Sequence, residues 1–138
     1  MNSDYKNSNY KHTDLTEKII SAFYKVYNTL GFGFLEKVYA NALMHQLVMD
    51  GLRVEKEKQI KVYYEEKMVG EYYADIMVEG KVIIEIKAAE ALIEEHELQL
   101  INYLKATDME VGLLLNFGKK PEIRRKVFSN GNKKIKPL

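Results

Sequence analysis

Apolar side chains recur along this chain first with helical spacing, then with strand spacing, then with helical spacing again. Leu15, Ile19, Ala22, Phe23, Val26 and Leu30 fall on one side of a predicted helix that stops at Gly31, and Asp14 with Glu17 three residues later resembles its N-terminal capping pair. After the loop GFGF, a second helix is predicted from about Leu35 to Asp50, closed by Gly51, with Val38, Tyr39, Ala42, Leu43, Gln46 and Leu47 near one side. From Val54 the texture becomes β-rich. The segments VEKEKQIKVYY, MVGEYYADIMV and KVIIEIK, punctuated by EEK and by Glu79-Gly80, predict three consecutive antiparallel strands. A third helix from roughly Ala91 to Ala106 precedes the apolar run VGLLLNF, short enough for a buried strand, and a last short helix is expected around Glu122 to Val127. The order α-α-β-β-β-α-β-α describes an α/β sandwich with a mixed sheet flanked by helices.

The periodic part, residues 13–128, has the length of one domain. Residues 1–12 and 129–138 are polar, lack apolar periodicity and are expected to be flexible tails. Hydrophobic residues make up 46% of the chain and charged residues 30%, the balance of a folding globular protein. There is no cysteine, which excludes disulfides, thiolate metal sites and a cysteine nucleophile. No apolar run approaches the roughly 18 residues of a membrane helix, and the polar start MNSDYKNSNYKH is no signal peptide, so a cytoplasmic location is expected. With 21 Lys and Arg against 20 Asp and Glu, the net charge of +1 offers no global attraction for nucleic acid. A phosphate-binding surface would have to be local, and Lys119, Lys120, Arg124, Arg125 and Lys126, with Lys133, Lys134 and Lys136 in the tail, are its candidates. The same residues read equally well as solvated charges near a chain end.

Chemistry gathers in the hairpin ADIMVEGKVIIEIK. Asp75 and Glu85 lie five residues on either side of Gly80, so a three-residue loop centred there sets them opposite one another on one side of the sheet, and Lys87 joins them. Alternation sends Tyr72, Ala74, Ile76, Val78, Val82, Ile84 and Ile86 to the other, apolar side. Two carboxylates so close repel one another unless a cation lies between them, and hard oxygen ligands favour Mg²⁺ or Mn²⁺. Such an ion can polarise a phosphodiester and activate water, with Lys87 orienting that water or neutralising developing charge. Taken alone, a D-x9-E-x-K pattern is more simply a cross-strand salt bridge on a wet face.

Context changes that weighting. Glu36 on the second helix lies one turn before Tyr39 and two before Leu43, within the stripe expected to face the sheet, although a helix-start carboxylate is a sufficient alternative reading. On the third helix His96, Gln99 and Tyr103 form a polar ridge able to contact phosphate or position the lysine. A surface histidine and a core tyrosine are the plainer alternatives.

Together, D-x9-E-x-K across a hairpin, a preceding helical glutamate and Q-x-x-x-Y on the next helix resemble the PD-(D/E)XK nuclease superfamily, especially its RecB-like and Holliday-junction-resolvase-like branches. GFLEKVY, with Gly33, Glu36 and Tyr39, looks more narrowly like the signature of the GxxExxY family, and HELQLINYL and Ile123 to Arg125 are also similar to it. The resemblance spans about Leu15 to Phe128 and implies a restriction-endonuclease-like core. It implies that Asp75, Glu85 and the backbone carbonyl of Ile86 ligate Mg²⁺ (or Mn²⁺), with Glu36 a further ligand at the margin and Lys87 the catalytic lysine. His96, Gln99, Tyr103, Arg124 and Arg125 are the expected substrate-binding residues. The expected activity is metal-dependent hydrolysis of nucleic acid, DNA before RNA, with a homodimer as one arrangement for handling a duplex. A catalytically silent module of the same fold that binds nucleic acid or a protein partner is the alternative.

Overall fold

The computed structural model describes residues 11–135. Helix α1 (Thr13–Leu30) is amphipathic and buries Ile19, Ala22, Phe23 and Val26. Asp14 lies inside its first turn, and the preceding His12 makes no side-chain cap bond, so the acid acts there through the helix dipole and not as a cap. Gly31 ends the helix with φ 69, donating its N–H to the Tyr27 carbonyl at 2.8 Å. Helix α2 (Glu36–Met49) buries Tyr39, Leu43 and Leu47.

Strands β1 (Val54–Tyr64), β2 (Lys67–Val78) and β3 (Val82–Lys87) form an antiparallel meander. Helix α3 (Glu94–Lys105) then carries the chain to β4 (Val111–Phe117), which runs parallel to β3. The sheet order is β1-β2-β3-β4-β5. Helices α1 and α2 cover one face through a core that includes Ile76, Val78, Ile84, Ile86, Leu113 and Leu115. Helix α3 covers the other through Met77, Ile83, Leu100, Leu104 and Leu114. All seven residues of β4 are buried, as expected of a central strand covered on both faces.

Two local expectations are corrected. Residues 121–127, expected as a helix, form strand β5 (Pro121–Val127), antiparallel to β4. Ile123 and Val127 are four apart, a spacing that suits either element, and the exposed hydrogen-bonding edge of β4 decides for the strand. The second correction concerns β2. Alternation places Tyr72 and Ala74 with Ile76 and Val78, yet Ala74 belongs to the cluster beneath α3 and Tyr72 lies 5.7 Å from the Tyr103 ring on that same side. The ladder runs from Lys56↔Ile76 to Lys58↔Ala74 and skips the intervening pair, Glu57 and Asp75. Glu57 has φ 50, a left-handed conformation that breaks the pleat, so the faces exchange at Asp75.

Residues 129–135, expected to be part of a polar tail, return across the end of α3. Asn130 closes a short 3₁₀ turn (Asn130–Asn132) and donates its N–H to Glu110, and Lys133 Nζ reaches the Thr107 and Met109 carbonyls at 2.9 and 2.5 Å. At the other end Lys11 pairs with Glu110.

Candidate active site

The β2/β3 hairpin has the register implied by its symmetry about Gly80: Val78↔Val82, Met77↔Ile83 and Ile76↔Ile84. The regular ladder stops there. In its place the Asp75 N–H donates to Glu85 Oε1 at 3.1 Å, and the Ile86 N–H donates to Asp75 Oδ2 at 2.7 Å. Each carboxylate thus accepts one backbone N–H through one oxygen, which orients the other. Glu85 is only 4% exposed, and neither acid forms a direct ion pair with Lys87 among the described residues. A salt bridge on a wet face is therefore not what the hairpin holds.

The electrostatics follow from that burial. Desolvation, and then the charge of Asp75, push the Glu85 carboxyl up to about 8, against the pull of the Asp75 N–H and of Lys87. Asp75 is raised as well, chiefly by burial, with Glu36 adding to it and the Ile86 N–H and Lys87 opposing it. Both acids are thus held toward their neutral forms, and the pair without a cation favours sharing a proton.

Asp75 and Ile86 also line a cavity of about 400 Å³ whose wall is completed by Glu36, Lys37, Ala40, Asn41, Lys56 and Glu57, and which neither Glu85 nor Lys87 lines. Glu36 is set there by the first turn of α2, and the preceding loop is fixed by Tyr39. The Tyr39 hydroxyl donates to the Gly31 carbonyl at 2.8 Å and accepts the Phe34 N–H at 3.2 Å, while its ring stacks on Phe117 at 4.3 Å. Glu36 lines the same cavity and is close enough to act on Asp75, yet among the described residues no three His, Cys, Asp or Glu side chains are drawn together as a ready ion cage.

On the α3 side, Gln99 Nε2 donates to the Tyr103 hydroxyl at 3.0 Å, and that phenol is held up by burial and by the charge of Glu85. This part of the ridge adjoins the acids. His96 does not. Its Nδ1 accepts the Ile93 N–H at 3.2 Å, capping the start of α3. His96→Ala is expected to cost about 1 kcal/mol in urea unfolding and to leave any cleavage rate at saturating substrate unchanged; a rate loss larger than the stability loss would return His96 to the substrate side.

The arginines are not gathered either. Glu85, Leu114 and Arg124 occupy one row across three strands, so Leu114 separates the acid from the arginine, which pairs with Glu122 at 3.5 Å. Arg125 pairs with Leu113 in the row of Ile84, on the opposite face, and donates to the Lys11 carbonyl. Lys126 is spent on Glu97 at 2.5 Å and Lys133 on backbone carbonyls, while Lys136 lies outside the described residues. Besides Lys87, the cations that share a cavity with Asp75 are Lys37 and Lys56, which nothing in their local sequence singles out.

Asn116 is a further residue that the chain pattern conceals. It is fully buried in β4 directly opposite Lys87, and its amide holds both the N–H and the carbonyl of Ala89, at 2.9 and 3.0 Å, and Glu122 at 3.0 Å. It fixes the course of the backbone just past the lysine. A lone amide inside VGLLLNF was the available signal. Gly118 completes the clamp, since a Cβ there would come within 2.4 Å of the Ala89 carbonyl.

Comparison with known proteins agrees with the fold. The crystal structure of SSO0001 superposes with a TM-score of 0.57 at 19% identity, covering 86% of this chain and 59% of that one, a likeness of fold. This chain therefore spans less than two thirds of that protein's length. No curated protein matches it. Residues 13–126 match the family model of the PD-(D/E)XK nuclease superfamily, and with a five-stranded mixed sheet between helices in the restriction-endonuclease-like arrangement the chain belongs to that superfamily.

Proposed function

We propose that the protein is a Mg²⁺-dependent (or Mn²⁺-dependent) nuclease that hydrolyses phosphodiester bonds in DNA. The observation that carries this reading is the Asp75–Glu85 pair, in which Glu85 is buried and raised to about 8 beside Lys87 while half-buried Asp75 opens onto the cavity that holds Lys37 and Lys56. Burying two acids without a stable partner is costly, and a cation is the partner that removes the cost. The donor set suits Mg²⁺, which typically takes one or two carboxylates and leaves its other positions to water and substrate oxygens, so a third carboxylate is not required. Asp75, Glu85 and the Ile86 carbonyl would hold it, with Glu36 at the margin. Bound there, the ion would polarise the scissile phosphate and lower the pKa of a bound water. Lys87 supplies a fixed ammonium where charge develops on the phosphate. Lys37 and Lys56 draw the flanking backbone into the cavity, and Gln99 and Tyr103 limit the site on the α3 side. Within the superfamily, the spacing of Gly33, Glu36 and Tyr39 supports the GxxExxY family and a RecB-like branch.

The test is a cleavage assay over single- and double-stranded DNA and RNA with Mg²⁺, Mn²⁺ or chelator. Metal-dependent cutting of DNA is expected. Binding that is equal with chelator, together with no cutting of any substrate, would overturn the nuclease in favour of a silent binding module.

A further inference from the structure

A second cavity, of about 490 Å³, lies on the α3 side of the sheet, between β1/β2 and α3. Its walls are Val62, Val69, Tyr72, Leu98 and Tyr103, with the amides of Gln99 and Asn102 at its edge. Three features define what it can take. Tyr72 is half exposed and Leu98 nearly so, which leaves an aromatic face and an aliphatic face open toward the same space. Gln99 spends one amide hydrogen on Tyr103, and Asn102 adds a second carboxamide, so donors and acceptors sit beside those apolar faces. Among the described residues no Lys or Arg lines the cavity and its one charged residue is Glu95, a composition that does not attract phosphate.

The position is as telling as the lining. Tyr103, which helps to form this cavity, feels the charge of both Glu85 and Asp75, and Asp75 lines the lysine-bearing cavity on the other side. The acid pair therefore stands between a cavity that carries Lys37 and Lys56 among carboxylates, a lining that can take a phosphate only together with a cation, and one that suits a flat, neutral, hydrogen-bonding ring.

We propose that the cavity formed by Tyr72, Leu98, Asn102 and their neighbours binds one unstacked nucleobase of the substrate, so that the enzyme selects single-stranded or locally opened nucleic acid. The inference rests on the nuclease reading for its substrate and adds the conformation in which that substrate binds. A base still stacked in a duplex cannot enter such a cavity. An extruded one gains an aromatic face, and such stacking is worth about tenfold or more in affinity per base.

The experiment compares a short single-stranded oligonucleotide with an abasic oligomer of the same length and sugar-phosphate backbone. Binding is measured by fluorescence anisotropy with Mg²⁺ in a Lys87→Ala background, which keeps both carboxylates and prevents consumption of the probe. The base-bearing oligomer is expected to bind about tenfold tighter than the abasic one. Adding Tyr72→Ala should reduce that preference to within about twofold and leave the abasic affinity unchanged, because only the base is lost as a partner. Leu98→Glu, a change at a half-exposed position, should do the same by closing the cavity with charge, and it guards against a folding defect in either variant alone. An absent preference, or equal weakening of both probes by Tyr72→Ala, overturns the base pocket. Cleavage by the wild-type protein is read separately: cutting without base preference removes the pocket and leaves the nuclease, while base preference without cutting does the reverse.

Discussion

Lys87→Ala is expected to lower single-turnover cleavage by about two to three orders of magnitude, the usual cost of deleting one preorganised group that stabilises transition-state charge, while divalent-metal affinity stays the same or rises. The reason lies in what Lys87 touches and what it does not. It makes no direct ion pair with Asp75 or Glu85 among the described residues, so its loss removes no structural bond from the pair. It does supply the positive charge that pulls both acid pKa values down. A cation entering the same site is repelled by that ammonium, so its removal cannot weaken the ion's electrostatic attraction. Its backbone is held in the β3/β4 ladder opposite Asn116 and keeps its course without the side chain. Titration calorimetry with Mn²⁺, beside single-turnover rates at saturating substrate, separates the two effects. Parallel losses of metal affinity and rate would show that Lys87 builds the site, and an unchanged rate would remove it from the chemistry.

Glu85→Gln is expected to flatten the pH dependence of the metal-free protein's stability and to abolish stabilisation by metal. The sign follows from the raised pKa. The folded protein holds the Glu85 proton up to about pH 8, whereas the unfolded chain releases it near its ordinary value of 4.5, so the native state binds more protons across that interval. Stability is therefore fully present below about pH 4.5 and is lost as pH rises toward 8, by roughly 3–5 kcal/mol at 1.36 kcal/mol per pKa unit. Asp75, raised in the same direction, adds to the fall. Mg²⁺ or Mn²⁺ should reverse it by stabilising the doubly ionised pair and releasing the proton, an effect that grows with free metal. Glutamine is the informative replacement. Alanine would leave the Asp75 N–H without the acceptor that Glu85 Oε1 supplies and would open a void at a position only 4% exposed. Urea unfolding from pH 5 to 9, with chelator and with Mn²⁺, makes the measurement. A wild-type protein whose metal-free stability is flat over this range would show that the pair is not held as described.

Much of this was legible along the chain because hairpins and helices write their periods locally. Glu79-Gly80 between two apolar alternations sets the register that brings Asp75 opposite Glu85, and nothing beyond about a dozen residues is needed to read it. The stripes of α1 and α2 and the all-apolar β4 are equally local. The rest depended on partners far away in sequence. Ile123 and Val127 suit helix and strand alike, and only the open edge of β4 makes them β5. The exchange of faces at Asp75 comes from Glu57 on the neighbouring strand, which moves Tyr72 and Ala74 beneath α3. The burial that raises Glu85 comes from the packing of α3 over the sheet, and the register of β5 on β4 sends Arg125 to the opposite face. Periodicity determines which residues travel together on an element; which charges lose their water depends on what packs over them, a quantity set only when the layers close.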